Sequence, residues 1–258
     1  MTILFVVAME AEAAPVRAAL GLDGPGTALH AAFPARIWRG EGVAVATNGV
    51  DARHGVDAIA TQPAVVTTLH AIEAAAPSLV VSAGTAGGFE ARGGAIGTVY
   101  LAERCVFHDR RIAIDGFDRY GVGDYPVHDL GAAADALGFV RGTVSTGNAL
   151  DAPDHDLASM DLSAAVAKDM EAAAVAWTCE HTGTPFTALK VITDLVDHHT
   201  DTAEQFLANL RVATETLADA ARRLADHLGA DPAAAGLAAP SSSMPTPRSD
   251  STNQETPP

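Results

Sequence analysis

Short β-rich apolar runs alternate with longer helical patterns along most of this chain. Strands separated by helices, several of them continuous apolar runs, favour an α/β protein with a mostly parallel sheet covered on both faces. Strands are predicted at Ile3–Met9, Ala35–Arg39, Gly42–Thr47, Leu79–Ala83, Thr98–Phe107, Arg141–Ser145 and Thr187–Ile192. Helices are predicted at Glu12–Leu20, Thr61–Ala76, Asp154–Leu162, Met170–His181 and Thr202–Leu228. One antiparallel hairpin is expected over Ala35–Thr47, around Gly40.

The chain is expected to form one folded domain over residues 1–228 and a disordered tail over residues 229–258. The last predicted helix intersperses apolar residues with charges, so one of its faces should pack on the body. After about Gly229 the sequence is rich in Ala, Pro, Ser and Thr and shows no apolar periodicity. We expect no catalytic role for this tail.

The acidic composition limits the partners of the protein. The net charge of −16 disfavours nucleic acid and an anionic membrane surface, and a neutral or zwitterionic small molecule fits better. The apolar N-terminus lacks a basic region and stops at Glu10, which is typical of a buried first strand and not of a signal peptide. No apolar run is long enough to span a bilayer. The two cysteines form no disulfide framework, so a reducing cytoplasm is expected.

Three carboxylates stand near the ends of predicted strands. Glu12 comes just after the first strand, Glu171 opens an Ala-rich helix, and Asp194 follows the strand Thr187–Ile192. Open α/β sheets bind ligands at the carboxyl ends of their strands, where a carboxylate among apolar neighbours can deliver a proton near neutral pH. Taken singly, a first-turn helix charge at Glu171 and an N-cap at Asp194 are simpler explanations. The three together favour a site.

Two further segments suit ligand contact. The Gly-rich segment Ser82–Gly88, which includes Gly87, should let backbone N–H groups approach a ligand, and the Thr85 hydroxyl could orient a water or a ribose oxygen. The segment Ser145–Asp151 could offer Leu150 as an apolar plate and the backbone of Asp151 as a reader of a base edge. Many such segments only turn the chain, and that alternative stays open for both.

The histidine-containing segments do not indicate a metal or a cofactor. In Phe107–Arg111, neighbouring side chains diverge on a strand, so a structural ion pair or an interface role is expected instead of catalysis. The pair His198–His199 has no third ligand nearby in the sequence.

Taken together and in order, these segments resemble the 5′-methylthioadenosine/S-adenosylhomocysteine nucleosidases of the nucleoside phosphorylase superfamily. The resemblance covers roughly residues 1–228. The region Thr202–Leu210 is similar to the plant-type branch in particular. The matching motifs are AMEAE at Ala8–Glu12, AGTAGG at Ala83–Gly88, FHDRR at Phe107–Arg111, YGVG at Tyr120–Gly123, STGNALD at Ser145–Asp151, KDMEAAAVA at Lys168–Ala176 and VITDLVD at Val191–Asp197.

The resemblance implies a three-layer α/β/α fold with a twisted mixed central sheet, commonly a homodimer with sites near the interface. It implies hydrolysis of the N-glycosidic bond of methylthioadenosine to adenine and methylthioribose. In this reading Asp194 matches the acid that protonates the purine at N7, and Glu12 matches the base that activates water. Thr85 and Lys190 match residues near that water.

The resemblance also implies the substrate contacts. Glu171 matches the ligand of the ribose hydroxyls, and Met170 lies against the sugar. Leu150 stands where many bacterial members stack an aromatic on the base, and the backbone of Asp151 should read the adenine edge. The sugar or alkylthio side should be lined by Met9 and Val50.

Departures from the bacterial pattern leave alternatives open. Lys190 stands where many bacterial members have Arg, and Leu150 replaces an aromatic, so activity on S-adenosylhomocysteine stays undecided. A purine nucleoside phosphorylase would need arginines at the Gly-rich segment, which has none, although Arg92 is close. A hydrolase of another purine nucleoside, such as a futalosine-type substrate, would keep the same carboxylates. A non-catalytic nucleoside-binding or storage protein should have lost one of them.

Overall fold

The computed structural model describes residues 1–197 and 202–237. Its strands are β1 (Ile3–Val7), β2 (Thr27–His30), β3 (Phe33–Arg39), β4 (Val43–Thr47), β5 (Leu79–Gly88), β6 (Val99–Phe107), β7 (Tyr125–Pro126), β8 (Val140–Thr146), β9 (Ala165–Asp169) and β10 (Phe186–Leu195). Its helices are α1 (Glu10–Ala19), α2 (Thr61–Ala75), α3 (Phe117–Val122), α4 (Gly131–Leu137), α5 (Asp154–Leu162), α6 (Ala172–Thr182) and α7 (Thr202–Ala230).

The strands form one mixed sheet, as the family resemblance implies, and not the mostly parallel sheet that the apolar runs favour. Strand β1 pairs in parallel with β4 and β5, and β5 pairs in parallel with β10. Strand β6 is antiparallel to β10 and parallel to β8, while β9 is parallel to β8 and antiparallel to β5. The strands β5, β10, β6, β8 and β9 therefore close into a ring at one end of the sheet. The ends of several strands meet there.

Helices cover both faces of the sheet, which confirms the three-layer α/β/α arrangement. One core cluster joins α1, α4 and α7 to the sheet, with Val16, Ala134 and Leu217 among its buried side chains. The other joins α2 and α6 to the opposite face. The alanines at the start of α6 are almost completely buried, so this helix packs closely on the sheet.

The predicted hairpin is confirmed, since β3 and β4 are antiparallel neighbours and Arg36 lies opposite Thr47. The sequence patterns missed β2, β7, β9, α3 and α4. All five are short. Strand β9 was also hidden because its last residues, Lys168 and Asp169, are charged, although both are buried.

The Gly-rich segment Ser82–Gly88 belongs to a strand, so the strand runs past its predicted end at Ala83 and the alternative that this segment only turns the chain is wrong. Strand β5 continues through Gly88 because it pairs with β10 along this stretch and with β9 at Gly87 and Gly88. A Cβ on Gly88 would lie 2.8 Å from the side chain of Ile192. Glycine here permits close packing within the sheet.

The packed part of the chain extends past the predicted boundary at residue 228. Helix α7 ends at Ala230, and the following residues fold back so that Leu237, 5% exposed, joins the core beside α4 and α7. The His128 imidazole donates a hydrogen bond to the carbonyl oxygen of Ala235 at 2.7 Å. The composition of this segment predicts disorder, but the burial of Leu237 against the core stabilises a packed conformation. The rest of the predicted tail, residues 238–258, lies outside the described residues.

Two further observations concern the cysteines and the length and apolar character of the helices. Cys105 and Cys179 are both buried and free. Within residues 1–197 and 202–237, no helix combines the length and the apolar character needed to cross a membrane.

We expect Leu237→Ala to lower the free energy of unfolding by about 2–5 kcal/mol, because a buried leucine leaves a cavity when it is truncated. Urea denaturation measures the change. Leu162, 92% exposed at the end of α5, supplies the control Leu162→Ala, which should change stability by less than about 0.5 kcal/mol. Equal stability of both variants and the unmodified protein would contradict the packing of residues 231–237.

Candidate active site

A cavity of about 190 Å³ opens where the ends of β1, β5, β9 and β10 meet. It brings together most of the residues that the sequence predicted for a site. The lining consists of Ala8, Met9, Glu12, Ile59, Thr85, Ala86, Gly87, Leu150, Lys168, Asp169, Met170, Glu171, Thr193, Asp194 and Phe206. The three predicted carboxylates therefore share one cavity.

Glu12 lies in the first turn of α1 and is almost completely buried. Its Oε1 accepts hydrogen bonds from the backbone N–H of Thr85 at 2.7 Å and from the Thr85 hydroxyl at 2.6 Å. Burial raises the pKa of Glu12, although the Thr85 hydrogen bonds and the charge of Lys190 oppose the rise. By contrast, Glu10 is exposed and pairs with Arg17 at 2.5 Å, so the two glutamates of this turn have different roles.

Asp194 lies near the end of β10, just after a register shift between Ile192 and Asp194. It stands opposite Gly87 of β5, and a Cβ on Gly87 would lie 2.7 Å from Asp194 Oδ2. The Thr193 hydroxyl donates to Asp194 Oδ1 at 2.7 Å. Burial raises the pKa of Asp194, against the opposing effects of Thr193 and the Lys168 ammonium. Such a carboxyl can hold a proton closer to neutral pH than an exposed aspartate can.

Glu171 occupies the N-cap position of α6, but its side chain makes no capping hydrogen bond to that helix. Its Oε1 instead accepts the N–H of Ala60, at the start of α2, at 2.8 Å. Burial and the neighbouring charge of Asp169 raise the pKa of Glu171 to about 7. The simpler explanation of Glu171 as a helix-end charge therefore does not describe its contacts.

Lys190 is buried in the middle of β10 and does not line the cavity. Its Nζ lies 2.8 Å from Asp169 Oδ2 and donates to the Ser82 hydroxyl at 3.2 Å. Burial lowers the pKa of Lys190, but the carboxylates of Asp169, Glu171 and Glu12 outweigh that effect and the net pKa is raised. Sequence reasoning missed Asp169. The available signal was a lone lysine inside an apolar strand, which requires a buried counter-ion.

Lys168 is the second residue that sequence reasoning left without a role. It is buried at the cavity wall, and its Nζ donates to the carbonyl oxygens of Ala149 and Leu150 at 2.8 and 2.9 Å. Burial lowers the pKa of Lys168, although Asp194 and other carboxylates oppose the change. This ammonium holds the loop that carries Leu150 against the cavity.

Two predicted substrate contacts lie outside the cavity lining. Val50 is half exposed, and its backbone pairs with Asp57 in an isolated bridge. Asp151 is also exposed, one residue beyond Leu150, which does line the cavity.

The segment Phe107–Arg111 makes structural contacts. His108 is buried with its Nδ1 3.1 Å from the Ser145 hydroxyl, Asp109 accepts the N–H of Asn148 at 2.8 Å, and Arg111 pairs with Asp156. Within the described residues, no group of three His, Cys, Asp or Glu side chains is arranged to hold a metal ion. The pair His198–His199 lies outside the described residues.

The model of the phosphorylase superfamily matches residues 2–226, so the chain belongs to that superfamily. Among relatives, the 5′-methylthioadenosine nucleosidase of Arabidopsis thaliana is 38% identical over 232 residues, which cover 88% of this chain and 87% of the relative. The 5′-methylthioadenosine/S-adenosylhomocysteine nucleosidase of the same plant is 35% identical over 238 residues, covering 88% of this chain and 91% of the relative. The predicted family is thereby confirmed.

Solved structures agree with this membership. The apo structure of the Arabidopsis thaliana 5′-methylthioadenosine nucleosidase superposes with a TM-score of 0.85, covering 88% of this chain and 95% of that chain at 38% identity. Futalosine hydrolase of Helicobacter pylori superposes with a TM-score of 0.75 at 22% identity, covering 88% of this chain and 98% of that chain. At that identity the second likeness concerns the fold alone.

We expect Gly87→Ala to displace the Asp194 carboxylate and to lower the free energy of unfolding by about 1–3 kcal/mol, because the added methyl group overpacks the site. Urea denaturation and a crystal structure of the variant measure both effects. Gly229 of α7 has open space around its Cβ position, so Gly229→Ala is the matched control and should not destabilise the protein. A Gly87→Ala variant with unchanged stability and an unmoved Asp194 would contradict the geometry of this site.

Proposed function

We propose that this protein hydrolyses the N-glycosidic bond of 5′-methylthioadenosine and releases adenine and methylthioribose. The observation that carries the proposal is the presence of Glu12, Glu171 and Asp194 in the lining of one cavity. The nucleosidase activity that gives two relatives their names, at 38% and 35% identity, supports the same substrate.

Asp194 is the proposed general acid. Cleavage of the ribosyl C–N bond builds positive charge on the sugar and negative charge on the departing base, so protonation of the purine at N7 assists the leaving group. The raised pKa of Asp194 favours a protonated carboxyl. The Thr193 hydroxyl donates a hydrogen bond to Oδ1 of Asp194. The other oxygen, Oδ2, lies close to Gly87 and is the one proposed to carry the proton.

Glu12 is the proposed general base for the attacking water. Thr85 holds Glu12 Oε1 with two hydrogen bonds and so fixes the orientation of the carboxylate. Lys190 acts on Glu12 through its charge, since its Nζ is held by Asp169 and Ser82. General acid and general base catalysis each contribute ~100- to ~10,000-fold in rate in typical enzymes.

The remaining lining residues are proposed to bind the substrate. Glu171 would hold the ribose hydroxyls through the oxygen that Ala60 does not occupy. Met9 and Met170 would contact the sugar and the alkylthio group, and Leu150 would pack on the adenine. The backbone of Asp151 is retained as the proposed reader of the adenine edge. Val50, like Asp151, lies outside the cavity lining, and its contact with the sugar or alkylthio side stays a prediction.

Hydrolysis is favoured over phosphorolysis by the charges at the cavity. A phosphate dianion requires cationic side chains around it. Among the described lining residues none is an arginine, and the ammonium of Lys168 is held by the carbonyl oxygens of Ala149 and Leu150. Arg92, the nearest arginine in sequence to the Gly-rich strand, binds Asp161 and the carbonyl oxygen of Ala165. The name of one relative includes S-adenosylhomocysteine, which is the second substrate that we propose to test.

We further propose that the protein is a cytoplasmic homodimer in methionine salvage. The free cysteines fit a reducing compartment. The exposed apolar side chains of Ile59 and Leu150 at the cavity fit a site that a second copy completes. Release of a sulfur-bearing methylthioribose fits a pathway that recovers this sulfur.

A substrate panel tests the proposal, with free adenine measured for methylthioadenosine, S-adenosylhomocysteine and adenosine, with and without phosphate. We expect adenine from methylthioadenosine at equal rates with and without phosphate. Glu12→Gln should lower kcat by about 100-fold or more, because the base is lost. Glu10→Gln, in the same helical turn, is the matched control and should retain the full rate.

Two outcomes would contradict the proposal. Adenine release that requires phosphate would make the protein a phosphorylase. A Glu12→Gln variant as active as Glu10→Gln would remove the general base from the mechanism.

A further inference from the structure

We propose that Asp169 is a positioning residue, which anchors Lys190 and the start of α6 and thereby sets the charge balance around Glu12 and Glu171. The inference rests on the proposed function, since it assigns Glu12 and Glu171 to catalysis and substrate binding. Asp169 lines the same cavity but is bound entirely by protein groups, so its contribution is made through its neighbours.

One carboxylate joins four elements of the structure. Asp169 stands at the end of β9, and its Oδ2 lies 2.8 Å from Lys190 Nζ of β10. The same Oδ2 accepts the N–H of Ala172 in α6 at 2.8 Å. Its Oδ1 accepts the Thr146 hydroxyl of β8 at 2.6 Å, and that hydroxyl accepts the N–H of Ala173 at 2.9 Å. The buried carboxylate therefore has a partner on each oxygen.

Asp169 also explains why Glu171 faces the cavity. The first N–H groups of a helix need acceptors, and the residue at the N-cap normally supplies one. In α6 the acceptors are Asp169 and Thr146, which take the N–H groups of Ala172 and Ala173. Glu171 is thereby released from capping, and its carboxylate instead turns to Ala60 and the cavity.

Three carboxylates interact with the Lys190 ammonium to different degrees. Asp169 forms the direct ion pair, whereas Glu12 is held by Thr85 and Glu171 by Ala60, both through uncharged donors. The raised pKa of Glu12 and the pKa of Glu171 at about 7 agree with this arrangement. Carboxylates of this kind are stronger bases near neutral pH than exposed glutamates are.

Other titratable groups face Asp169, but they are not expected to compensate for its loss. The Cys105 thiol has a pKa raised by burial and stays uncharged. The His108 imidazole has a pKa lowered by burial and by Lys168, which favours its neutral form. The ammonium of Lys168 is fixed on two carbonyl oxygens. When Asp169 is neutralised, the positive charge of Lys190 acts on the remaining carboxylates, Glu12 and Glu171.

The test is the pH profile of kcat/KM for Asp169→Asn with methylthioadenosine. Glu12 must be deprotonated to act as a base, so activity rises with pH through its pKa. Without Asp169, the Lys190 charge acts on Glu12 and Glu171 and lowers their pKa values. We expect this acidic limb to move to lower pH by about one unit, with kcat reduced by up to about tenfold because the base is weaker.

Two control variants separate this effect from a structural one. Thr146→Val removes the hydroxyl on Asp169 and keeps every charge, so it should lower kcat or stability without moving the limb. Asp169→Glu restores the charge, so its limb should return to the position in the unmodified enzyme even if kcat stays low. The proposal would be overturned if the acidic limb of Asp169→Asn lay at the same pH as that of the unmodified enzyme.

A double variant covers the case in which Asp169→Asn fails to fold. Asp169→Asn with Lys190→Met removes both buried charges, which proteins tolerate better than the loss of one. If Asp169 neutralises Lys190, the double variant should keep the limb within about half a unit of its original position. If the acidic limb of the double variant moves to higher pH by a full unit or more, the proposal is overturned. Lys190 would then have lowered the pKa of Glu12 in the unmodified enzyme without being neutralised by Asp169.

A readout without turnover separates this proposal from the proposed function. The carboxyl carbons of ¹³C-labelled glutamate report the titration of Glu12 and Glu171 by NMR in the unmodified protein and in the variants. An unmodified protein that releases no adenine would refute the proposed function, and the NMR titrations would still test Asp169. Titration curves that are the same in all variants would overturn the role of Asp169 whatever the substrate.

Discussion

The buried ion pair of Lys190 and Asp169 is the contact on which the rest of the site depends. An ammonium in the middle of a central strand loses its hydration and needs a partner that is equally buried. Asp169 is that partner because β9 ends beside β8 and next to α6, and its oxygens also bind Thr146 and Ala172. The pair therefore fixes the relative positions of three strands and one helix at the cavity.

A glycine in β5 makes room for one of the carboxylates. A Cβ on Gly87 would lie 2.7 Å from Asp194 Oδ2, whereas one on Gly84 would make ordinary contact with Glu12 Oε1 at 3.4 Å. The Asp194 carboxylate can therefore lie against the backbone of the sheet and be buried there. Burial raises the pKa of both Glu12 and Asp194, but the nearby cations differ, with Lys190 acting on Glu12 and Lys168 on Asp194.

The sequence predicted the layers and the carboxylates because both follow local patterns. Alternating apolar runs and helical segments identified the strands that lead to Glu12 and Asp194, and the position of these residues after strands predicted a shared edge. The resemblance to a family placed Thr85, Met170 and Leu150 at the same cavity, where the structure also has them.

The features that the sequence could not predict depend on contacts between distant segments. The Gly-rich segment has local turn signals, but it is a strand because β10 and β9 pair with it. Strand β9 ends in charges that are buried only because Lys190 and the carbonyl oxygens of Ala149 and Leu150 bind them. Leu237 follows a segment of disorder-prone composition, yet it belongs to the core cluster that also contains residues of α4 and α7.

The convergence of Glu12, Glu171 and Asp194 on one nucleoside is the central claim, and a crystal structure of Asp194→Asn with methylthioadenosine tests it directly. The account predicts purine N7 within hydrogen-bond distance of residue 194, the ribose hydroxyls on Glu171, and a water between Glu12 and the anomeric carbon. A nucleoside bound elsewhere, or bound in this cavity with any one of these three side chains out of its reach, would contradict the account.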